Sequence, residues 1–280
     1  MNGIEALLEV LAAHGVTHLF GNPGSTELPL NEALAADGRF QYVLGLHEVA
    51  LTAMADGYAQ ASGRLGVASV HICCGLGNAM GMLYNAHAAG SPVLLLAGQQ
   101  DTRLRFGEPV LAGDMVSVAR PWTRWAHEVQ QAEDIPAAVR RAVQIALTPP
   151  TGPVFLAIPV DLQRHPLTDP DLAPPALPMR GTRPPAAAVE VAVQALLTAQ
   201  DPAIVAGSRV TEAGAGGRFR AARMADRSVR TSRVGRSRGA RPRRGARALR
   251  AGDRAGNLAA TGRGSYPGQR AEPQSRQRTE

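Results

Sequence analysis

Three short loops in this sequence carry polar side chains, and each loop follows a predicted strand. The first is the turn-forming run 21–27 (GNPGSTE), the second begins at His47-Glu48, and the third begins at His71. Carboxylates and imidazoles are the side chains that proteins most often use to move protons. Because ligands of open α/β sheets bind at the carboxyl ends of the strands, the three loops are candidates for a binding site.

Each of these features also has a purely structural interpretation. A carboxylate such as Glu48 in the first turn of a helix is favoured by the helix dipole whatever its function. The glycines and the proline of 21–27 are ordinary turn formers. A histidine at a strand end, such as His71, is more often a hydrogen-bonded structural residue than an acid or base. Taken one at a time, the residues leave both interpretations open.

The glycines and cysteines of the third loop argue against two common kinds of site. The run 73–78 (CCGLGN) lacks the third glycine of the dinucleotide-binding fingerprint at the required offset. Two adjacent cysteines without a second pair do not match a zinc site, so no metal ligands are assigned. Neighbouring cysteines reach disulfide geometry only with strain, which indicates a reducing compartment.

The elements around these loops predict an α/β domain. Short β-rich runs alternate with longer helical patterns, which predicts a doubly wound parallel sheet with helices on both faces. An amphipathic helix over residues 1–15, stopped by Gly15, comes first. The predicted strands are 17–20, 41–44, 66–72, 92–97 and 153–158, and the predicted helices between them are 28–36, 48–62, 78–89 and 135–147.

Composition divides the chain into four segments. Residues 1–165 form the first domain, and the proline-rich segment 166–185 is predicted to be a linker. Residues 186–213 begin a middle domain, with a helix and a short strand, that does not continue. The tail, 214–280, lacks any sustained period and is expected to be disordered.

The tail also has an unusual charge. Residues 217–280 hold 18 arginines and four acidic residues, so they carry about +14, whereas residues 1–216 carry about −7. A GC-rich gene read out of frame yields this arginine-rich composition. We therefore expect that a frameshift near codons 207–217 replaced the remainder of a longer enzyme.

The N-terminal helix predicts the compartment. It carries Glu5 and Glu9 and has no basic region of the kind that begins a signal peptide. No run in the chain approaches the ~18 apolar residues that span a membrane. We therefore expect a soluble, cytoplasmic protein with no membrane partner.

Taken together, the three loops resemble those of thiamine-diphosphate-dependent enzymes. The resemblance is close over residues 1–165 and extends over 186–210 as the start of that family's middle domain. Ser25 and His71 favour the benzoylformate decarboxylase branch, because the acetolactate synthases, which are similar in fold, usually lack this histidine. The runs that match in order and spacing are 21–25 (GNPGS), 47–48 (HE), 55–59 (ADGYA), His71, 75–79 (GLGNA), 97–100 (AGQQ) and 152–159 (GPVFLAIP).

The resemblance implies a role for each candidate site residue. Glu48 would hydrogen-bond N1′ of the cofactor's pyrimidine and promote the imino tautomer that removes the thiazolium C2 proton. His71 would transfer protons, and Ser25 would bind the substrate carboxylate. The other cofactor-binding candidates are Asn22, Pro23, Gly24, Gly75 and Asn78.

The resemblance also implies an activity, cofactors and partners. The activity is the non-oxidative decarboxylation of a 2-oxo acid such as benzoylformate to an aldehyde, with thiamine diphosphate and Mg²⁺, in a homo-oligomer. In the family a third domain holds the diphosphate and Mg²⁺ through a Gly-Asp-Gly motif. Here only Gly252-Asp253-Arg254 occurs, so we expect the diphosphate and Mg²⁺ site to be missing and the chain to be inactive alone.

Three alternatives stay open. The chain is also similar to a fragment of an acetolactate-synthase-like carboligase. It is also consistent with a non-catalytic partner that pairs with a separate subunit. Finally, the basic tail predicts nonspecific, salt-dependent binding of nucleic acid.

Overall fold

Six strands form one sheet in which every neighbouring pair is parallel. The computed structural model describes residues 1–174, 183–200, 202–207, 210, 213–215 and 230–233. The strand order is β2-β1-β3-β4-β6-β5, with helices on both faces, which is the doubly wound α/β fold that the sequence predicts. The strands are β1 His18–Gly21, β2 Gln41–Leu44, β3 Gly66–Val70, β4 Val93–Gln99, β5 Trp125–Glu128 and β6 Val154–Pro159.

Two apolar cores cover the two faces of this sheet. Because successive strand side chains point to opposite faces, Leu94 and Leu96 pack into one core while Leu95 packs into the other. The first core contains α1, α2 and α6, and the second contains α3, α4 and α5. The helices are α1 Gly3–Ala13, α2 Leu28–Ala36, α3 Glu48–Ser62, α4 Ile72–Ala89, α5 Met115–Ala119, α6 Ile135–Leu147 and α7 Val160–Arg164.

Local sequence sets the start of α1 and the ends of α3 and α4, the two helices that carry site residues. Helix α1 begins at a capping box in which Asn2 and Glu5 each hydrogen-bond the other's backbone N–H. Helices α3 and α4 end at Gly63 and Gly90, which adopt left-handed backbone angles with φ of 68° and 69°. Glycine takes this conformation without a steric penalty, so the helices stop there.

The structure differs from the sequence prediction at the start of α4. The predicted strand extended to residue 72 and the predicted helix began at residue 78, whereas β3 ends at Val70 and α4 begins at Ile72. Ile72 has φ of 42° and is fully buried. A β-branched residue rarely adopts this left-handed angle, and its type alone predicts a continuing strand.

The sequence prediction also missed β5. This strand lies at the edge of the sheet, and its residues Trp-Ala-His-Glu are only partly buried except for Glu128. A half-polar edge strand carries no run of apolar residues, so the pattern that revealed the other strands is absent there.

Beyond residue 165, the described residues include one long helix and two short strands after the linker segment. Helix α8 spans Ala186–Thr198, and β7, Ala203–Ala206, pairs in parallel with β8, Arg230–Arg233. The predicted start of a middle domain is therefore helical and extended where expected, and a four-residue strand lies within the predicted tail. The rest of 216–280 and most of the linker's second half, 175–182, lie outside the described residues, so the predicted disorder of the tail stays a prediction. No helix among the described residues is long and apolar enough to cross a membrane.

Candidate functional site

The loops that follow β1, β2 and β3 meet at one edge of the sheet. The three strands are neighbours in the order β2-β1-β3, so their carboxyl ends lie side by side. The backbone joins the loops: Asn22 N–H donates to Ser69 O at 3.2 Å, and Gly45 N–H donates to Gly21 O at 2.9 Å. The three loops therefore bring candidate residues to the same edge of the sheet.

Glu48 lies at the centre of this edge. Its side chain is in the first turn of α3 and the residue is 5% exposed. Asn22 Nδ2 donates to Glu48 Oε1 at 3.0 Å, and Asn78 Nδ2 donates to Oε2 at 3.0 Å. Both carboxylate oxygens therefore have an amide partner, one from the β1 loop and one from α4.

The environment of Glu48 favours the ionised carboxylate. Burial raises the pKa of Glu48, but hydrogen bonds from Asn78, its own backbone amide and Asn22 outweigh burial, with a smaller contribution from His47. The net effect is a pKa below the ordinary value, since hydrogen bonds to the charged form stabilise it. Glu48 is therefore more than a helix-capping residue, because its side chain is withdrawn from water and held in place.

A second carboxylate, Glu27, contacts His71. The distance from His71 Nδ1 to Glu27 Oε2 is 2.7 Å, and Glu27 is 2% exposed. Sequence reasoning placed Glu27 only within the turn-forming run 21–27 and assigned it no role. A carboxylate among glycines and a proline at a strand end was the available signal.

Glycines allow the loops to approach the side chains of His71, Glu27 and Glu48 closely. A Cβ at Gly24 would lie 2.1 Å from His71 Nδ1, and a Cβ at Gly98 would lie 2.4 Å from Glu27 Oε1. A Cβ at Gly75 would lie 3.1 Å from Glu48 Oε1. The bare backbone at residues 24 and 98 is therefore a steric requirement of this arrangement.

Comparison with known proteins identifies the domain. Residues 1–129 match the family model described as the thiamine pyrophosphate enzyme, N-terminal TPP binding domain. These residues belong to the thiamine pyrophosphate enzyme family. The buried carboxylates Glu48 and Glu27, with His71 and the glycines against them, thus lie within the segment that matches the family's N-terminal TPP binding domain.

Relatives within the thiamine pyrophosphate family extend the similarity. The chain is 45% identical to benzoylformate decarboxylase of Pseudomonas aeruginosa over 157 residues, which are 56% of this chain and 29% of that protein. It is 32% identical to the acetolactate synthase isozyme 3 large subunit of Escherichia coli over 218 residues, 76% of this chain and 38% of that protein. The chain spans less than half the length of these curated relatives.

A solved structure supports the fold assignment. The thiamine diphosphate-dependent 4-hydroxybenzoylformate decarboxylase of Rhodococcus jostii RHA1 superposes with a TM-score of 0.72 at 33% identity, covering 78% of this chain and 41% of that one. The fold and the family resemblance drawn from the sequence are both confirmed by these comparisons.

The residues around Glu48 fit the aminopyrimidine half of the family's cofactor. A buried carboxylate flanked by amide groups matches a ring that carries both a basic nitrogen and an amino group. The absence of a side chain at Gly75 leaves the approach to Oε1 open, and Asn78 is exposed. Glu48, Asn22, Gly75 and Asn78 would therefore hold the ring.

Ser25 and Pro23 lie at the rim of the same edge. Ser25 begins a short 3₁₀ helix, Ser25–Glu27, and both Ser25 and Pro23 are exposed. The Ser25 hydroxyl makes no hydrogen bond within the described part of the chain. It is therefore available to a ligand, while Pro23 contributes the loop's shape rather than a polar contact.

The cysteines take no part in a cluster of ligands. Cys73 is partly buried, with burial the largest cause that raises the pKa of its thiol, and Cys74 Sγ donates to His71 O at 3.4 Å. Across the residues that the structure describes, no group of three or more His, Cys, Asp or Glu side chains is placed to hold a metal ion.

Proposed function

We propose that residues 1–165 form the pyrimidine-binding half of an active site that decarboxylates a 2-oxo acid of the benzoylformate type. The observation that carries the proposal is the carboxylate of Glu48, buried at the carboxyl edge of the sheet between the amides of Asn22 and Asn78. Similarity to benzoylformate decarboxylase over this same region supports the choice of reaction.

The chain's own residues would act at two ends of the site, one that binds the cofactor's pyrimidine ring and one that faces the substrate. Glu48 would bind the pyrimidine ring through its ionised carboxylate, with an oxygen as the hydrogen-bond acceptor, while Asn22 and Asn78 fix the orientation of that carboxylate. When bound, thiamine diphosphate supplies a thiazolium that accepts the electron pair left by the departing carbon dioxide.

At the other end of the site, His71 and Ser25 would face the substrate. His71 is held through Nδ1, and no described residue bonds to its Nε2, which leaves that atom to move a proton. The free Ser25 hydroxyl would donate to the substrate carboxylate. Mg²⁺, which the family implies, would neutralise the cofactor's diphosphate in a part of the enzyme other than the residues described here.

An acetolactate-synthase-like carboligase is the second candidate. It is favoured by the longer stretch of similarity to acetolactate synthase, which covers 76% of this chain against 56% for benzoylformate decarboxylase. Both reactions begin with a 2-oxo acid and the same cofactor. They differ in the product, which is an aldehyde for the decarboxylase and a compound with a new carbon–carbon bond for the carboligase.

A domain exchange tests the proposal. Residues 1–165 would replace the matching segment of the Pseudomonas aeruginosa benzoylformate decarboxylase, and benzaldehyde formation from benzoylformate would be measured. We expect saturable activity that Glu48→Gln abolishes and that the surface substitution Glu133→Gln leaves intact. A folded chimera that forms acetolactate from pyruvate but no benzaldehyde would favour the carboligase, and one inactive with both would contradict the proposal.

A further inference from the structure

We infer that Glu27 is a positioning residue that holds His71 in the tautomer with its proton on Nδ1, so that Nε2 is the atom open to proton transfer. The inference rests on the proposed function only for what Nε2 does in a reaction. The tautomer itself is a property of this chain and can be measured without turnover.

The first argument is the number of donors that surround Glu27. Its Oε1 accepts from Thr26 Oγ1 at 2.8 Å and from Gly98 N–H at 2.8 Å. Its Oε2 accepts from Gly24 N–H at 2.9 Å and lies 2.7 Å from His71 Nδ1. An ionised carboxylate offers about four acceptor positions and no donor, so all of them are taken.

The second argument is that two of these donors have no alternative role. The backbone N–H groups of Gly24 and Gly98 can only donate, and each lies on a different oxygen of Glu27. Both oxygens must therefore present lone pairs. Because Nδ1 lies 2.7 Å from Oε2, a lone pair on Nδ1 would face a lone pair of the carboxylate and be repelled, so we assign the proton between Glu27 and His71 to Nδ1.

The third argument is that the pair cannot move apart easily. Glu27 is 2% exposed, and the backbone of Gly24 lies against the imidazole ring so closely that even a methyl group would overlap it. Gln163, also buried, donates from Nε2 to Thr26 O at 3.0 Å and to Ile158 O at 2.8 Å. These two bonds connect the turn that carries Glu27 to the end of β6 and keep the carboxylate in a fixed position.

The consequence concerns the opposite side of the ring. The His71 side chain is 20% exposed, and Nε2 has no hydrogen-bond partner in the described residues. With Nδ1 protonated, a neutral His71 has its lone pair on Nε2. A histidine side chain in water favours the opposite tautomer, so the assignment to Nδ1–H is a distinctive outcome that Glu27 enforces.

The test is ¹⁵N NMR of the histidine rings in the whole chain. His71→Asn assigns the His71 signals among the seven histidines. At a pH where the ring is neutral, we expect a protonated Nδ1 and an unprotonated Nε2 in the wild type. In Glu27→Gln we expect the signals to move toward the tautomer protonated on Nε2. An amide has only one acceptor oxygen, and its NH₂ group would donate to Nδ1 in place of the carboxylate oxygen that accepts from it.

A surface histidine–glutamate pair supplies the matched control. His165 Nε2 lies 3.7 Å from Glu133 Oε1, and both side chains are more than half exposed. Glu133→Gln should leave the His71 spectrum unchanged. A folded Glu27→Gln variant that keeps the wild-type tautomer would overturn the inference. If Glu27→Gln does not fold, the wild-type spectrum alone decides, because a wild-type ring protonated on Nε2 would also overturn it. Loss of pyrimidine binding would count against the proposed function but would leave this result unaffected.

Discussion

Asn78 on α4 donates a 3.0 Å hydrogen bond to the carboxylate of Glu48 on α3. The two helices start from strands that are not adjacent, because β1 lies between β2 and β3. Asn22, which follows the intervening strand β1, donates a hydrogen bond to the other oxygen of the same carboxylate. Three consecutive strand ends therefore converge on one buried acid.

Removing the Asn78 amide should weaken the fold in a pH-dependent way. Because the folded-state pKa of Glu48 lies below its ordinary value, the ionised side chain stabilises the fold at neutral pH, and this contribution disappears as the pH falls through the folded-state pKa. In Asn78→Ala the pKa of Glu48 should rise, and the free energy of unfolding at pH 7 should fall by about 1–3 kcal/mol.

Urea denaturation at several pH values checks this prediction. The difference between Asn78→Ala and the wild type should narrow as the pH falls through the titration of the carboxyl group. Asn85→Ala, at an exposed position of the same helix, serves as the control and should have little effect. A deficit that stays constant with pH would show that Asn78 does not act through the charge of Glu48.

A methyl group at residue 24 should disturb both the fold and the position of His71. The Cβ of Gly24→Ala would lie 2.1 Å from His71 Nδ1, and such overlap typically costs about 1–3 kcal/mol. Gly81→Ala is the matched control, because its Cβ would meet nothing within 4 Å. That change, in the middle of α4, should stabilise the protein by about 0.5–1 kcal/mol.

Thermal or urea unfolding of the two alanine variants measures both effects. Opposite signs at residues 24 and 81 are the expected result. Equal stabilisation by both substitutions would mean that the Gly24 loop does not lie against the imidazole ring.

The basic tail makes a separate prediction about nucleic acid. Deleting residues 214–280 changes the formal net charge of the chain from +7 to about −7. Binding of single-stranded RNA should be independent of base sequence, should weaken steeply with salt, and should vanish on deletion. Salt-dependent filter binding or fluorescence anisotropy measures this, and RNA binding that persists after deletion would place the interaction in the folded domain.

Much of this architecture was predictable from the sequence because most of its strands are buried on both faces. Such strands appear in the sequence as continuous apolar runs. The helices between them were also predictable, since the predicted bounds of α2, α3 and α6 agree with the structure to the residue. The left-handed backbone at Ile72 and the half-polar edge strand β5 were not predictable, since in both cases tertiary packing overrides the local residue preference.

The site was predictable only in part. Motif spacing pointed to Glu48 and His71 as candidates, and the structure places them shortly after β2 and directly after β3. The partnership of Glu27 with His71 joins positions 44 residues apart in sequence, and only the strand order brings them together. No local pattern encodes such a contact, so a carboxylate that holds the histidine was overlooked.

The most direct test of the account is calorimetric titration of the purified chain with the cofactor's ring alone, 4-amino-5-hydroxymethyl-2-methylpyrimidine. We predict saturable binding by the wild type and by Glu133→Gln. Binding by Glu48→Gln should be weaker by about tenfold or more, which corresponds to losing one charge-assisted hydrogen bond. Equal affinity of the wild type and Glu48→Gln, or no binding by a folded wild-type chain, would contradict the claim that Glu48 forms the pyrimidine site.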